Sequence, residues 1–221
     1  MSLPVVDPPD AHASAEEGGT RASNVAGVLL AAGTSSRYGD ENKLLAEAGG
    51  EPMVRRSART LLEAGLDPVV VVVGHEQTKV RDALAGLDVA FVENPDYESG
   101  QASSVQAGVA ALSDEAVDAA VFALGDMPYV DPGSVRALVA AYEAGAGSAL
   151  AAGFECERGN PVLFDARHFD ALAGRETERR DDSPDGDTGG KQILLSADDA
   201  AVVETRDPGV RRDVDVPEDR R

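Results

Sequence analysis

Five consecutive valines, Val69 to Val73, constrain the fold more than any other feature of this chain. β-branched side chains favour extended backbone, and a run without polar alternation leaves neither face for water. The segment therefore predicts a strand buried on both faces, as in a parallel sheet covered by helices on each side. Ala119–Leu124 has the same character. Around these two, short aliphatic runs alternate with amphipathic segments at Val25–Ala32, Met53–Ala64, Pro68–Val73, Gln77–Leu84, Val89–Val92, Ala102–Leu112, Ala119–Leu124 and Ser134–Glu143. That rhythm predicts an α/β fold, a three-layer, doubly wound, mostly parallel sheet with ligands at the carboxyl ends of its strands.

After Ala149–Phe154 the regularity weakens into Arg158–Phe164, with a short helix near Ala166–Ala173. Gly174 to Gly190, rich in charge, Gly, Pro and Ser, reads as an acidic surface loop. A helix around Lys191–Leu195, a strand around Ala201–Glu204 and an acidic end complete the pattern. Residues 1–23 show no apolar period and are expected to form a disordered N-terminal tail, with 24–221 as a single domain.

Charge and cysteine usage narrow the class. The 40 acidic and 20 basic side chains give a formal charge of −20, so nucleic acid and anionic membranes are poor partners. The acidic residues are spread through helices and loops, which suggests adaptation to high salt, a halophilic surface. No apolar run approaches the roughly 20 residues needed to span a bilayer, and the start lacks a secretory pattern. A single cysteine, Cys156, excludes an internal disulfide. A soluble, cytoplasmic protein is the expectation.

Chemistry-bearing residues follow the strands. After the first comes Leu30-Ala31-Ala32-Gly33-Thr34-Ser35-Ser36-Arg37-Tyr38-Gly39, then Asn42-Lys43-Leu44-Leu45. Small residues permit close backbone approach to a phosphate, Arg37 offers a forked donor and Lys43 a compact charge. The loop is neither a Walker loop nor a GxGxxG fingerprint, and a plain strand-to-helix connection would look similar. After the buried strand Ala119–Leu124 comes Gly125-Asp126-Met127-Pro128. There Asp126 either opens a turn or aims a carboxylate into the crevice, where Mg²⁺ bridges phosphates. Asn94-Pro95-Asp96-Tyr97-Glu98-Ser99-Gly100-Gln101-Ala102-Ser103-Ser104 opens a helix. Its Gly100, Ser103 and Ser104 can face a base or sugar, unless Ser99 simply caps the helix. Asp215, within Asp213-Val214-Asp215-Val216-Pro217-Glu218-Asp219, is either a second metal carboxylate or part of a solvated tail. Gly159-Asn160-Pro161-Val162 offers an amide for an acceptor. His75 and His168 look like surface or capping residues, and no Ser-His-Asp or zinc constellation is apparent.

Taken in order, LAAGTSSRYGDENKLL, VVVVVGH, NPDYESGQASSVQAG, ALGDMP, RGNPVLF, GDTGGKQILL and DVDVPED resemble the molybdenum cofactor cytidylyltransferase family. Its guanylyltransferase relatives and the sugar-nucleotide pyrophosphorylases are more distant likenesses. The resemblance covers Val25 to about Asp219 and implies a Rossmann-like nucleotidyltransferase fold. It also implies transfer of CMP from CTP to the phosphate of molybdopterin or molybdenum cofactor, with pyrophosphate leaving and Mg²⁺, or Mn²⁺ in its place, as cofactor. On this resemblance Arg37, Lys43 and Asp126 are catalytic. Leu30, Ala31, Ala32, Gly33, Arg37, Lys43, Gly100 and Ser104 bind nucleotide, Asp126 and Asp215 hold the metal, and Asn160 meets the acceptor. The LAAG form of the first loop resembles the cytidine branch, whereas Lys191 stands where the family often has arginine. Alternatives are a guanylyltransferase, a sugar-phosphate nucleotidyltransferase, or a non-catalytic chaperone passing cofactor to a molybdenum hydroxylase.

Overall fold

A computed structural model describes residues 3–9, 23–34, 38, 42–175 and 189–214. Among them the strands are β1 (Val5–Val6), β2 (Val25–Ala31), β3 (Glu47–Ala48), β4 (Glu51–Pro52), β5 (Val69–Val73), β6 (Ala90–Glu93), β7 (Ala119–Leu124), β8 (Ala149–Phe154), β9 (Glu157–Asp165) and β10 (Ala200–Glu204). The α-helices are α1 (Met53–Glu63), α2 (Gln77–Ala83), α3 (Gln101–Ala111), α4 (Pro132–Glu143), α5 (Phe169–Leu172) and α6 (Gly189–Ser196). Eight strands form one sheet in the order β1-β10-β8-β9-β7-β2-β5-β6, while β3 and β4 make a separate two-stranded ribbon.

The valine run does what its composition requires. Val69, Val71 and Val73 enter a core with Val54, Ala58 and Leu61 of α1, Val80 of α2, and Val135 and Leu138 of α4. Val70 and Val72 enter the opposite core, with Val105 and Val109 of α3, Leu172 of α5 and Leu194 of α6. Strand periodicity thus divides one apolar segment between two helical layers, each buried valine contributing about 1.5–3 kcal/mol of transfer free energy. The three-layer, doubly wound, mostly parallel architecture follows.

The sheet is parallel except at β9, which pairs antiparallel with β7 and with β8. A tight turn at Glu155 and Cys156, both with positive φ, joins β8 to β9. The weakened regularity of this region is therefore a hairpin: Arg158, Gly159, Asn160 and Pro161 interrupt the apolar alternation without ending the strand. The N-terminal expectation is corrected at two residues. Val5 and Val6 pair with Val202 and Val203 of β10, so they extend the sheet edge and are not tail. Two β-branched residues are too short a run to signal a strand without their partner. No helix among the described residues is long and apolar enough to cross a membrane.

Candidate active site

β2 and β7 lie side by side and parallel, so the segments that follow them open at the same edge of the sheet. After β2, Asn42 caps a 3₁₀ turn over Lys43–Leu45, its Oδ1 accepting from the Leu44 amide at 3.1 Å. This buried asparagine fixes the backbone that carries Lys43. Lys43 Nζ reaches Asp126 Oδ2 at 2.6 Å, and the two side chains are 15% and 19% exposed. The pair is short, charge-assisted and mostly withdrawn from water while still reachable from the cleft.

The backbone around Asp126 is tied on three sides. The Gly125 amide donates to the Leu30 carbonyl at 3.0 Å, joining the two site-bearing strands. From α1, Ser57 Oγ donates to the Gly125 carbonyl and Thr60 Oγ1 to the Val130 carbonyl, each at 3.2 Å. The Val214 amide donates to the Asp126 carbonyl at 3.0 Å. Val214 is fully buried with Tyr38, Ala48 and Met53, so the C-terminal segment returns to the site.

The far wall is built by Asn94 and α3. Asn94 is buried, and its Nδ2 donates to Ser103 Oγ at 2.9 Å and Ser104 Oγ at 3.0 Å, while its Oδ1 accepts from the Asp96 amide. Ser103 donates in turn to the carbonyls of Asp96 and Gly100. Ser104 Oγ is thus already an acceptor, which leaves its hydrogen to be donated. Gly100, with φ 111°, is the N-cap of α3 and makes no side-chain capping bond. Ser99 does not cap the helix; its hydroxyl donates to the Asp96 carbonyl. The first amides of α3 therefore have no side-chain cap at the cleft, where an anion or carbonyl oxygen is favoured.

These walls enclose a cleft of about 580 Å³. Of the residues singled out in the sequence, Leu30, Ala32, Gly33, Lys43, Gly100, Ser104 and Asp126 line it. Ala31 does not: its side chain is buried in the α1-side core, because strand alternation turns it away from Leu30 and Ala32. Asn160 lines an adjoining recess of about 230 Å³ that shares Leu30, Gln101 and Leu124 with the cleft. Arg37 and Asp215 lie outside the described residues.

Tyr97, Glu98 and Gln101 also line the cleft, and sequence reasoning assigned them no role. Their position at the start of α3 was the available signal. Tyr97 is held by close contact: a Cβ on Gly74 would come within 2.8 Å of the Tyr97 Cβ and 2.9 Å of the Ala32 Cβ. His75 packs beside Tyr97 with ring centroids 6.1 Å apart. His168 bonds Ser148 Oγ through Nε2, away from this cleft. The site thus combines a strand-end carboxylate, an adjacent ammonium, a close-approach loop and an open helix start, a set suited to phosphate groups and a nucleoside.

Comparison with known proteins agrees with this geometry. Residues 27–201 match the model of the MobA-like NTP transferase domain. The chain is 32% identical over 213 residues to the purine catabolism protein PucB of Bacillus subtilis, covering 90% of this chain and 95% of that protein. It is 36% identical over 106 residues to a probable molybdenum cofactor guanylyltransferase of Natronomonas pharaonis, spanning 48% of this chain and 51% of that protein. Among solved structures, Rv0371c of Mycobacterium tuberculosis superposes with a TM-score of 0.73 at 25% identity, over 90% of this chain and 96% of that one.

Proposed function

The chain belongs to the MobA-like NTP transferase family, and from that premise we propose that it transfers CMP from CTP to the phosphate of molybdopterin or molybdenum cofactor, releasing pyrophosphate. The observation that carries the reading is the Lys43–Asp126 pair, 2.6 Å apart at the adjoining ends of β2 and β7, inside a cleft with room for a nucleotide.

A phosphate oxygen of the acceptor attacks the α-phosphorus, the bond to the β-phosphate bridge breaks, and pyrophosphate leaves. The protein's contribution is positioning and charge neutralisation. Asp126 and the incoming triphosphate compete for the Lys43 ammonium, so Lys43 can shift its charge from the carboxylate to phosphate oxygens as the nucleotide arrives. Gly100, Ser104 and the α3 amides hold the nucleoside end, with Arg37 proposed at the phosphates.

The donor set suits Mg²⁺ brought in with the nucleotide. Among the described residues no cluster of three or more His, Cys, Asp and Glu side chains is placed to hold a metal. Asp126 stands as a partly exposed carboxylate in the cleft, and Mg²⁺ commonly takes one or two carboxylates, with phosphates and water completing its octahedron. Asp215, which follows the residue bonded to the Asp126 carbonyl, is proposed as the second carboxylate. When bound, the ion supplies Lewis-acid stabilisation of charge at the phosphates.

The likeness to a guanylyltransferase favours GTP as the second reading. Pyrophosphate release with Mg²⁺ and molybdenum cofactor, compared among CTP, GTP, ATP and UTP in high salt, separates the two. CTP preference is the expected result. GTP preference moves the chain to the guanylyltransferase branch, and no release with any nucleotide overturns the transferase reading.

A further inference from the structure

In a chain with 40 carboxylates and 20 lysines and arginines, a cation without a carboxylate beside it is unusual. Nearly every lysine and arginine among the described residues is engaged. Carboxylates hold most of them, as at Lys43 and Arg211. Aromatic rings take others, as at Arg81 and Arg212, and a backbone carbonyl takes Arg136. Arg158 and Lys191 are the exceptions among the described residues, and both line the recess beside the nucleotide cleft.

Different elements bring them there. Arg158 sits on the antiparallel strand β9, paired opposite Gly153, and Lys191 on the first turn of α6. The rest of the wall is mixed: Leu124 and Val162 are half-buried apolar side chains over the nearly buried, edge-to-face Phe122 and Phe164, and Gln101 and Asn160 add amides. Leu30, Gln101 and Leu124 belong to both spaces, so a molecule in the recess abuts one in the cleft.

We propose that Arg158 and Lys191 form an anion clamp that selects the acceptor: a phosphomonoester whose body lays an apolar face against the half-buried Leu124 and Val162. The inference rests on the nucleotidyltransferase reading and adds the acceptor's recognition to it. The chemistry requires such a clamp. An acceptor phosphate must approach an anionic triphosphate inside a chain of net charge −20, and that repulsion has to be met locally. Arg158 offers a fork to two phosphate oxygens, and Lys191 a point charge.

The test uses the full chain at low ionic strength with the nucleotide cleft filled by Mg²⁺ and the non-hydrolysable α,β-methylene analogue of CTP. Inorganic phosphate is then titrated and its binding followed by calorimetry, a readout that the wild-type chain and every variant share. Arg158→Gln and Lys191→Gln are each expected to weaken phosphate binding about tenfold, the loss of one charge-assisted contact. Thermal unfolding of each variant checks that it is folded, and Arg136→Gln serves as a surface control with unchanged binding. In turnover, both variants should raise the acceptor KM while leaving the KM for CTP unchanged. Wild-type phosphate affinity in both variants overturns the clamp, as does an equal rise in the two KM values. Failure of the wider reading is separately visible, as absence of analogue binding and pyrophosphate release in the wild-type chain.

Discussion

Ser57→Ala removes one hydroxyl that touches no substrate, yet the geometry links it to Asp126. Ser57 is 3% exposed, and its Oγ donates to the Gly125 carbonyl at 3.2 Å, one residue before the carboxylate. A buried carbonyl left without a partner costs about 1–3 kcal/mol, and a hydroxyl bond longer than the usual range points to the lower part of that interval. A void of about 10 Å³ lies behind the loop, lined by Ser57, Thr60, Met127 and Pro161. Losing the hydroxyl enlarges it toward the size of one water, which limits the destabilisation to about 1–1.5 kcal/mol. For a chain of this length that corresponds to a Tm lower by about 2–6 °C. Turnover should suffer more: a displacement of order 1 Å in a catalytic group costs up to about a hundredfold, so a fall in kcat of ten- to a hundredfold is expected.

The assay is pyrophosphate release against Mg²⁺ concentration, with denaturant unfolding alongside, in a cycle with Asp126→Asn. Ser57→Ala should raise the Mg²⁺ concentration needed for half-maximal rate, and Ser57→Thr should restore it. In the Asp126→Asn background the same change should lower stability by the same amount. A Ser57→Ala enzyme with wild-type kcat and an unchanged Mg²⁺ response would refute the positioning role.

Four further expectations follow from other contacts in the structure. Asp126→Asn should abolish turnover with near-UV circular dichroism unchanged, and Lys43→Ala should lower kcat/KM by about a hundredfold or more; normal rates in either variant would remove that residue from the site. Gly74→Ala forces a methyl against the Tyr97 Cβ at 2.8 Å and should weaken nucleotide binding, measured by titration with the non-hydrolysable analogue. Acid should weaken the fold at the end of the sheet away from the site. Asp199 is held below the usual carboxylate range by the Ser148 hydroxyl at 2.6 Å, against the opposing pull of burial, with Arg167 assisting. Burial pushes Asp165 up, but the Arg167 amide, the Tyr142 hydroxyl and the Arg167 guanidinium outweigh it, and its carboxyl also stays low. Both folded values lie below the unfolded ones, so their contribution is present above the ordinary aspartate range and lost as pH falls through the folded values. Asp199→Asn should flatten that acid limb in denaturant melts across pH.

The strand-rich half of the fold was legible because its residues obey one rule: valines and alanines buried on both faces cannot form anything exposed. Lys43 and Asp126 were legible as residue types following strands, although their contact needed β2 and β7 to be neighbours. Other features depended on partners distant in sequence. Val214 sits between two aspartates and read as tail, yet it is buried against Tyr38 and Met53. Asn94 carried no role of its own in the segment that opens a helix, whereas its amide organises two serines of α3. Ser57 and Thr60 interrupt an apolar helix face, and only their carbonyl acceptors explain why hydroxyls belong there. The hairpin at β9 hid because its polar, Pro-containing start borders a recess where apolar alternation would be out of place.

Label position decides most directly whether this site transfers a nucleotidyl group. The wild-type chain and Asp126→Asn are incubated with molybdenum cofactor, Mg²⁺ and CTP labelled either at the α- or at the γ-phosphorus, and the products are separated. Wild-type enzyme should place the α label in the cofactor product and the γ label in pyrophosphate, and Asp126→Asn should do neither. A γ label in the cofactor product, or release of the γ label as inorganic phosphate, would contradict nucleotidyl transfer at the Lys43–Asp126 pair.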